Sequence, residues 1–504
     1  MADVILVYPK TGFDIKKVSI DLPLSVLAAS SLVTQDYQVK IIDQRIDPDW
    51  EETLRREMKA NPLCVGVSSM TGPQIKYALQ AARIVKEVGD SIKVVWGGVH
   101  GTLLPEQTVQ NPLVDIVVVG EGELTFCNLV KALEKSQPLR DVKGIVFKEN
   151  GVSVRTEPQG PVDLEALPDL PYYLVDMENY IGSQGRFFGK NSRSLLFISS
   201  RGCPWECTYC CNPRLSKRRW RSMSAKKTYK LVMNLVDRYR LDAITFHDEE
   251  FLVDRVRAEK IASLIGGKFR WWIQARMDRL KAMDLSSLDR NGLCAVQPGI
   301  ESGSDRILKV IRKGETVADM LEANRCLAKT SIVPLYNLMM GFPTESYEEL
   351  MQSVDLALRL LKENPKAQVS GFYVCVPYPG TELFDLALKE GFEAPQSLEE
   401  WSVYNRQHLK TPWIQDKLDI FTSIMITSKL IDGTRLENRL KAAFHPMPVP
   451  SFLCRYLARF YRARWGKHIF KKNLDLVFNK ILLSLFSLSQ TNVLNLVLMK
   501  KKKI

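Results

Sequence analysis

Eleven short apolar runs, each followed by a turn and then by a stretch of helical character, govern what this 504-residue chain can fold into. Five fall within residues 1–135: Asp3–Tyr8, Val39–Asp43, Cys64–Ser68, Lys93–Trp96 and Ile116–Val119. Six more are Leu195–Ser199, Ala243–His247, Trp271–Ala275, Ala295–Ile300, Pro334–Met340 and Ser370–Val376. Among the intervening stretches, Gln74–Val88 sets Ile75, Ala78, Leu79, Ala82 and Val85 on one face, the 3.6-residue period of an amphipathic helix. Lys227–Tyr239, Arg255–Ile265, Val317–Ala328 and Tyr347–Lys362 are its counterparts further on. A helix between two strands carries the chain back across the sheet, so the next strand pairs parallel to the last. The pattern predicts an α/β chain with an open, Rossmann-like parallel sheet over residues 1–140. Six strand–helix units, a partial (β/α)6 barrel, are expected over 194–390. Residues 141–193 read as a linker, in which a hairpin turns at Asn150-Gly151. Pro158, Pro161, Pro168 and Pro171 then suit an extended crossing segment. Residues 391–504 are expected to be mostly helical, ending in a basic amphipathic tail.

Ligands of parallel α/β sheets and barrels sit at the carboxyl ends of the strands, and the unusual residues of this chain collect there. Arg201-Gly202-Cys203-Pro204-Trp205-Glu206-Cys207-Thr208-Tyr209-Cys210 follows the first run of the second half. Its cysteines have C-x3-C-x2-C spacing, and no fourth stands nearby in a suitable position. Closed zinc sites and most [4Fe–4S] clusters take four protein ligands. A cluster on three thiolates keeps one iron open; a zinc loop or a set of free thiols are the alternatives that this loop leaves standing. Cys211 reads as a free thiol and Cys375 as a buried apolar cysteine. Cys64, Cys127, Cys294, Cys326 and Cys454 show no paired spacing, so neither a second cluster nor a disulfide framework is expected. In the first 135 residues, three successive strands end in Ser68-Ser69-Met70-Thr71-Gly72, Gly97-Gly98-Val99-His100 and Gly120-Glu121-Gly122-Glu123. Glycines let the backbone approach a large flat ligand, and amides at a helix start bind polar groups. Each loop alone is also an ordinary tight turn.

The cysteine loop and the strand before it resemble the radical S-adenosylmethionine (SAM) superfamily. The three glycine-containing loops together resemble the cobalamin-binding domain that precedes the radical domain in many of its members. The resemblance spans about residues 1–390. It implies that Cys203, Cys207 and Cys210 hold a [4Fe–4S] cluster whose open iron chelates SAM. Phe246-His247-Asp248-Glu249-Glu250 matches, in position and acidity, the loop that receives the SAM ammonium group, which makes Asp248 and Glu249 the expected contacts. Arg276 is expected at the SAM carboxylate or ribose, with a barrel salt bridge as the alternative. Glu301 is expected at the SAM hydroxyls and Gly341, in Gly341-Phe342-Pro343, near the adenine. Val376-Pro377-Tyr378-Pro379-Gly380-Thr381 resembles a Pro-x-Pro-Gly-Thr turn of the cobalamin-dependent branch. Ser68, Ser69, Met70, Thr71, Gly97, Gly98, His100, Gly120, Glu121 and Gly122 are the implied cobalamin contacts. His100 reads as a packing or hydrogen-bonding residue there rather than a cobalt ligand. The Asp-x-His-x-x-Gly motif that brings a histidine beneath cobalt is absent; Asp43-Gln44-Arg45-Ile46-Asp47-Pro48 stands in its place.

The activity implied is methylation of an unactivated carbon through a 5′-deoxyadenosyl radical and methylcobalamin, with flavodoxin or ferredoxin as reductant. Oxidative ring closure like that of the anaerobic magnesium-protoporphyrin ester cyclase, or carbon–carbon coupling, stays open, as does a non-catalytic cobalamin or iron–sulfur sensor. Charge narrows the partners. Of the net +13, residues 451–504 carry +11, from twelve Lys or Arg against Asp475 alone, which leaves the rest near neutral. A nucleic-acid enzyme more often spreads basic residues around its catalytic body, so no nucleic acid is expected. In Leu453–Lys472, the residues Leu453, Tyr456, Leu457, Phe460, Tyr461, Trp465 and Ile469 make one helical stripe, surrounded by Arg455, Arg459, Arg462, Lys467 and Lys471. Aromatics beside basic residues suit a helix lying in a membrane interface. The apolar segments Ile481–Leu488 and Val493–Met499 and the Lys500–Lys503 run add to that expectation, with a helical cap or a dimer contact as the alternative. The chain is therefore expected in the cytoplasm, peripheral on the inner membrane face, acting on an apolar small molecule such as a lipid, polyprenoid or tetrapyrrole. No amino-terminal signal segment is read in Ala2–Tyr8.

Overall fold

The computed structural model describes residues 2–16, 19–89, 91–182, 188, 191–404, 411, 413–433, 436–437, 451–470 and 474–477. It divides into two compact units. The first comprises Met1–Ile273, Arg290–Gly292 and Val376–Leu409; the second comprises Gln274–Asp289, Leu293–Cys375 and Lys410–Ile504.

The first unit is built on a seven-stranded sheet of order β2-β1-β3-β4-β5-β6-β7. Its strands are β1 (Val4–Tyr8), β2 (Val39–Asp43), β3 (Cys64–Ser68), β4 (Lys93–Gly97), β5 (Ile116–Val118), β6 (Ile145–Glu149) and β7 (Val152–Arg155). The first five pair in parallel, with Val4 opposite both Val39 and Cys64. Val4 to Val7 are all buried, as a strand with both faces covered requires. The helices are α1 (Leu24–Val33), α2 (Trp50–Met58), α3 (Pro73–Val88), α4 (Val99–Leu103), α5 (Pro105–Gln110) and α6 (Gly122–Glu134). The segment read as a linker begins by extending this sheet: β6 and β7 add antiparallel to β5. Their turn has φ of 51° at Asn150 and 78° at Gly151, the two left-handed positions of a type I′ hairpin.

The same unit contains the next parallel strands, β8 (Ser194–Phe197), β11 (Ala243–Phe246) and the start of β12 (Arg270–Ala275). Between β8 and β11 a two-residue ribbon, β9 (Ser200–Arg201) and β10 (Arg221–Ser222), pairs antiparallel and brackets the cysteine loop. The helix Leu398–Ser402 also belongs here: Trp401 donates to Gln107 at 2.7 Å and Asn111 donates to Glu399 at 2.9 Å.

The second unit carries β13 (Leu293–Glu301), β14 (Val333–Met340) and β15 (Gln368–Val374), again parallel, with a bulge in β13 between Gly299 and Glu301. All six strands expected over 194–390 are thus present in chain order, each within a few residues of its expected bounds. The helix Tyr347–Glu363 opens with a capping box, Ser346 to Glu349, and buries Leu350, Val354, Ala357, Leu360 and Leu361.

The basic stripe expected in the tail is divided. In the helix Ser451–Trp465, Tyr461 and Trp465 face inward; Trp465 donates to Thr427 Oγ1 at 2.8 Å and meets Phe372 edge-on. Arg464 is buried against Asp475 at 2.5 Å. Phe452, Leu453, Tyr456 and Phe460 face outward. Polar partners drew part of the aromatic set inward, which helical spacing alone did not show. Among the described residues no helix is long and apolar enough to cross a membrane. Lys471, Ile481–Leu488, Val493–Met499 and Lys500–Lys503 lie outside the described residues.

Candidate functional site

The cysteine loop hangs from the carboxyl end of β8. Gly202 has φ of 85°, and a side chain there would collide with the carbonyl oxygen of Arg219, so only glycine fits the turn into Cys203. Cys203, Cys207 and Cys210, in no disulfide and of intermediate exposure, share one short loop. The Cys210 amide donates to the Cys207 carbonyl at 3.1 Å, and the Asn212 amide reaches Cys210 Sγ at 3.5 Å. Burial, with the neighbouring cysteines adding to it, pushes the Cys210 thiol up to about 12. A bound metal would favour its thiolate form. Among the described residues no three His, Cys, Asp or Glu side chains converge closely enough to hold a single ion. An iron–sulfur cube spreads its thiolates wider than one ion does, and three open thiols on a loop supply the donor set it needs.

The loop rests on a buried polar base. Asp248, at the end of β11 and fully buried, accepts from the Ser199 amide (2.6 Å), Ser199 Oγ (2.6 Å) and Ser200 Oγ (2.7 Å). Burial raises its carboxyl, while the serines and Arg257 pull it down. Arg257 in turn donates to Ser199 O at 3.1 Å and Oγ at 2.7 Å. Asp248 was expected to meet the SAM ammonium group, but both its oxygens are committed inside the protein. Glu249, next in sequence, is exposed and accepts from the Gly202 amide at 3.2 Å. The turn Val376–Thr381 also reaches this loop: it leads into the helix Glu382–Lys389, whose Leu383 amide donates to the Thr208 carbonyl at 3.0 Å.

A cavity of about 610 Å³ opens in this unit. Ser68, Gly97, Gly98, Gly120, Glu121 and Gly122 line it from the strand ends, Arg201 lines it from the base of the cysteine loop, and Glu249 from the turn after β11. Leu6 and Gly66 of the sheet, Leu24, Ser25 and Ala28 of α1 and Phe126 of α6 line it too. Nothing stands within 4 Å of a Cβ placed on Gly97 or Gly120, so bare backbone faces this space. Gly98 has φ of 91°, and its Cβ would lie 2.6 Å from Ser69 O. A cradle of open backbone over an apolar slot fits a corrin and its nucleotide tail.

Four residues expected around cobalamin lie off this wall. Ser69 is buried and accepts from Trp96 Nε1 at 2.6 Å. Thr71 pairs with His100 Nδ1 at 3.0 Å. Met70 is 49% exposed. His100 is fully buried, edge-on to Trp401, and burial lowers its pKa to about 4, so it is neutral at pH 7. Arg45, at the position of the missing histidine, is locked to Asp43 at 2.6 Å and lies over the Tyr8 ring.

In the second unit, Arg276 and Glu301 belong to one buried charge network. Arg276 donates to Asp278 at 3.0 Å and lies 3.8 Å from Glu315; Lys313 bridges Glu315 (3.6 Å) and Glu301 (3.2 Å). Arg276 thus makes the barrel salt bridge that the sequence left as its alternative. Glu301 holds a left-handed φ of 61° beyond the β13 bulge, the kind of strain kept at functional sites. Gly341 is buried: Trp413 Nε1 donates to its carbonyl at 3.1 Å, and a Cβ would stand 2.9 Å from Phe421. Sequence reasoning missed Glu345, Trp413 and Arg257, which carry no motif; a buried acid four residues after a glycine turn was the one available signal for Glu345.

The radical SAM superfamily model matches residues 197–357, and the B12-binding domain model matches residues 12–130. An uncharacterised methyltransferase of Pyrococcus horikoshii is 32% identical over 394 residues, 76% of this chain and 83% of that protein. The anaerobic magnesium-protoporphyrin IX monomethyl ester cyclase of Cereibacter sphaeroides is 26% identical over 434 residues, 82% of this chain and 66% of that protein. The radical SAM methyltransferase TsrM of Kitasatospora setae, solved with cobalamin and a [4Fe–4S] cluster, superposes with a TM-score of 0.67 at 14% identity, over 92% of this chain and 99% of that one. The cobalamin-dependent enzyme OxsB with aqua-cobalamin gives 0.71 at 20% identity, over 97% and 75%. These two likenesses speak to the fold. With both domains matched in order and a relative aligned along most of both chains, this chain belongs to the cobalamin-binding radical SAM enzymes, whose cofactors are a [4Fe–4S] cluster, SAM and cobalamin.

Proposed function

We propose that the chain methylates a carbon of a small, apolar molecule. The observation that carries this reading is the shared cavity: the glycine loops of the first sheet and the base of the cysteine loop line one space. The cofactors supply radical generation and methyl carriage, and the protein binds, orients and shields them. Cys203, Cys207 and Cys210 would hold the cluster, Glu249 would receive the SAM ammonium group, and Asp248 would brace the loop from beneath. Ser68, Gly97, Gly98 and Gly120–Gly122 would cradle cobalamin. Two SAM and two electrons from a flavodoxin- or ferredoxin-like donor balance the reaction. A substrate C–H becomes C–CH3, and S-adenosylhomocysteine, methionine and 5′-deoxyadenosine leave, the last carrying the abstracted hydrogen.

The test is anaerobic reconstitution with iron, sulfide and cobalamin, followed by incubation with methyl-labelled SAM and candidate lipids or tetrapyrroles. A labelled product heavier by ~14 Da, together with 5′-deoxyadenosine, is expected. Oxygen gain without label would replace methyl transfer with oxidative cyclisation, the activity named for the Cereibacter relative.

The apolar substrate rests on the outer face of the helix Ser451–Trp465. Phe452 (69% exposed), Tyr456 (68%) and Phe460 (48%) stand there, flanked by exposed Arg455 and Arg459. That combination suits an anionic lipid surface. The full chain is expected to sediment with vesicles containing phosphatidylglycerol and not with phosphatidylcholine alone, and Phe452, Tyr456 and Phe460→Ser together should abolish it. Equal recovery with both vesicles would overturn the membrane reading.

A further inference from the structure

We infer that Arg201, Arg221, Glu121 and Glu123 form an ionic latch through which the cluster loop and the cobalamin-facing loop hold one another in place. Arg201 is its central positioning residue. The inference rests on the cofactor assignment and not on methyl transfer.

Arg201 and Arg221 are direct cross-strand partners in the β9–β10 ribbon. Like charges placed opposite one another destabilise a ribbon unless something lies between them. Here two carboxylates at the start of α6 do so. Arg201 Nη2 donates to Glu123 Oε1 at 2.6 Å, and Arg201 Nη1 lies 3.4 Å from Glu121 Oε2. Arg221 pairs with Glu121 Oε1 and donates to Val162 O at 2.6 Å. One guanidinium fork therefore spans two acids, which a point-charge ammonium cannot reproduce. The Glu123 side chain is only 2% exposed, so Arg201 is its necessary counter-charge.

The placement gives the latch its consequence. Arg201 precedes Cys203 by two residues, and Gly202 between them admits no other residue. Glu121 sits between Gly120 and Gly122, and all three line the cavity, as do Arg201 and Glu123. A shift of the glycine loop on binding a corrin thus moves the acids, and the acids move the base of the cluster loop. Coupling of this kind is reciprocal: each cofactor must raise the affinity for the other by the same factor.

The test measures the affinity of the full-length protein for hydroxocobalamin by absorbance titration, with and without the reconstituted cluster. Hydrogen exchange of residues 198–212 is followed alongside. In the wild type the cluster should tighten cobalamin binding about fivefold or more, and cobalamin should slow exchange in the loop. Arg201→Lys keeps the charge and should fold with an unchanged melting temperature, yet bring the affinity ratio close to one. Glu123→Gln should do the same from the other loop. A wild-type ratio of one overturns the inference, and so does an Arg201→Lys variant that keeps the full ratio and loop protection. An enzyme that makes no methylated product but keeps the coupling would fail the proposed function and leave the latch standing.

Discussion

Glu345 makes the stability of this protein depend on pH in a direction opposite to the usual carboxylate, and Glu345→Gln isolates the effect. The side chain is 4% exposed in the second unit. Its Oε2 accepts from the Gly341 amide at 2.6 Å, while Oε1 has no hydrogen-bond partner among the described residues. Burial raises the carboxyl from 4.5 to about 7, against the Gly341 amide and Lys417, which lower it. The folded state therefore keeps its proton up to about pH 7, and the unfolded chain releases it near 4.5. Between those values the folded state binds more protons, so stability is full below about 4.5 and is lost as pH rises through 7. At ~1.4 kcal/mol per pH unit the loss reaches about 3 kcal/mol. Glutamine has the same shape, accepts the same Gly341 hydrogen bond and cannot ionise. Urea unfolding of the full chain at pH 5 and pH 8, followed by circular dichroism, reads the difference. Glu345→Gln should gain about 2–3 kcal/mol over the wild type on going from pH 5 to pH 8. An equal offset between the two proteins at both pH values would refute a buried, protonated Glu345.

Three further outcomes are expected. Cys203→Ala, Cys207→Ala and Cys210→Ala should each lose cluster iron and form no 5′-deoxyadenosine while still binding cobalamin, checked by metal content and absorbance. Gly202→Ala should also lower cluster iron, because the left-handed φ costs about 1–2 kcal/mol before the collision with the Arg219 carbonyl is counted. Thr344 is a β-branched residue at φ of 66°, so Thr344→Gly should raise unfolding stability by about 0.5–1 kcal/mol in a thermal or urea melt.

The strands were readable because both faces of a parallel sheet are covered, which leaves unbroken apolar runs such as Val4–Val7 and Leu195–Phe197. The Asn150-Gly151 turn was readable because two left-handed positions call for those residues. What local pattern could not give was long-range packing. The hairpin after Gly144 joins the first sheet, and the helix Leu398–Ser402 returns to pack on α3 some 300 residues before it and sets Trp401 against His100 of α4. The tail stripe failed as a single face for the same reason: Thr427, Phe372 and Asp475, distant in sequence, claim Trp465 and Arg464.

Asp248 and Glu249 show where motif reading stops and geometry begins. Both are acids at the end of the same strand, and either satisfies an acidic match. The turn after β11 sends the two side chains to different places, one into the protein and the other to the cavity. Asp248 turns inward, where two serines and the Ser199 amide meet it, and the longer Glu249 turns outward while still reaching the Gly202 amide. The order of the two residues is thus part of the site. Exchanging them, Asp248→Glu with Glu249→Asp, preserves charge and composition, yet it forces an extra methylene into a fully buried pocket and withdraws the outer carboxylate from Gly202. Cluster loading should fall in the exchanged protein although every acid remains, and an unchanged iron content would show that only the charge of this turn matters.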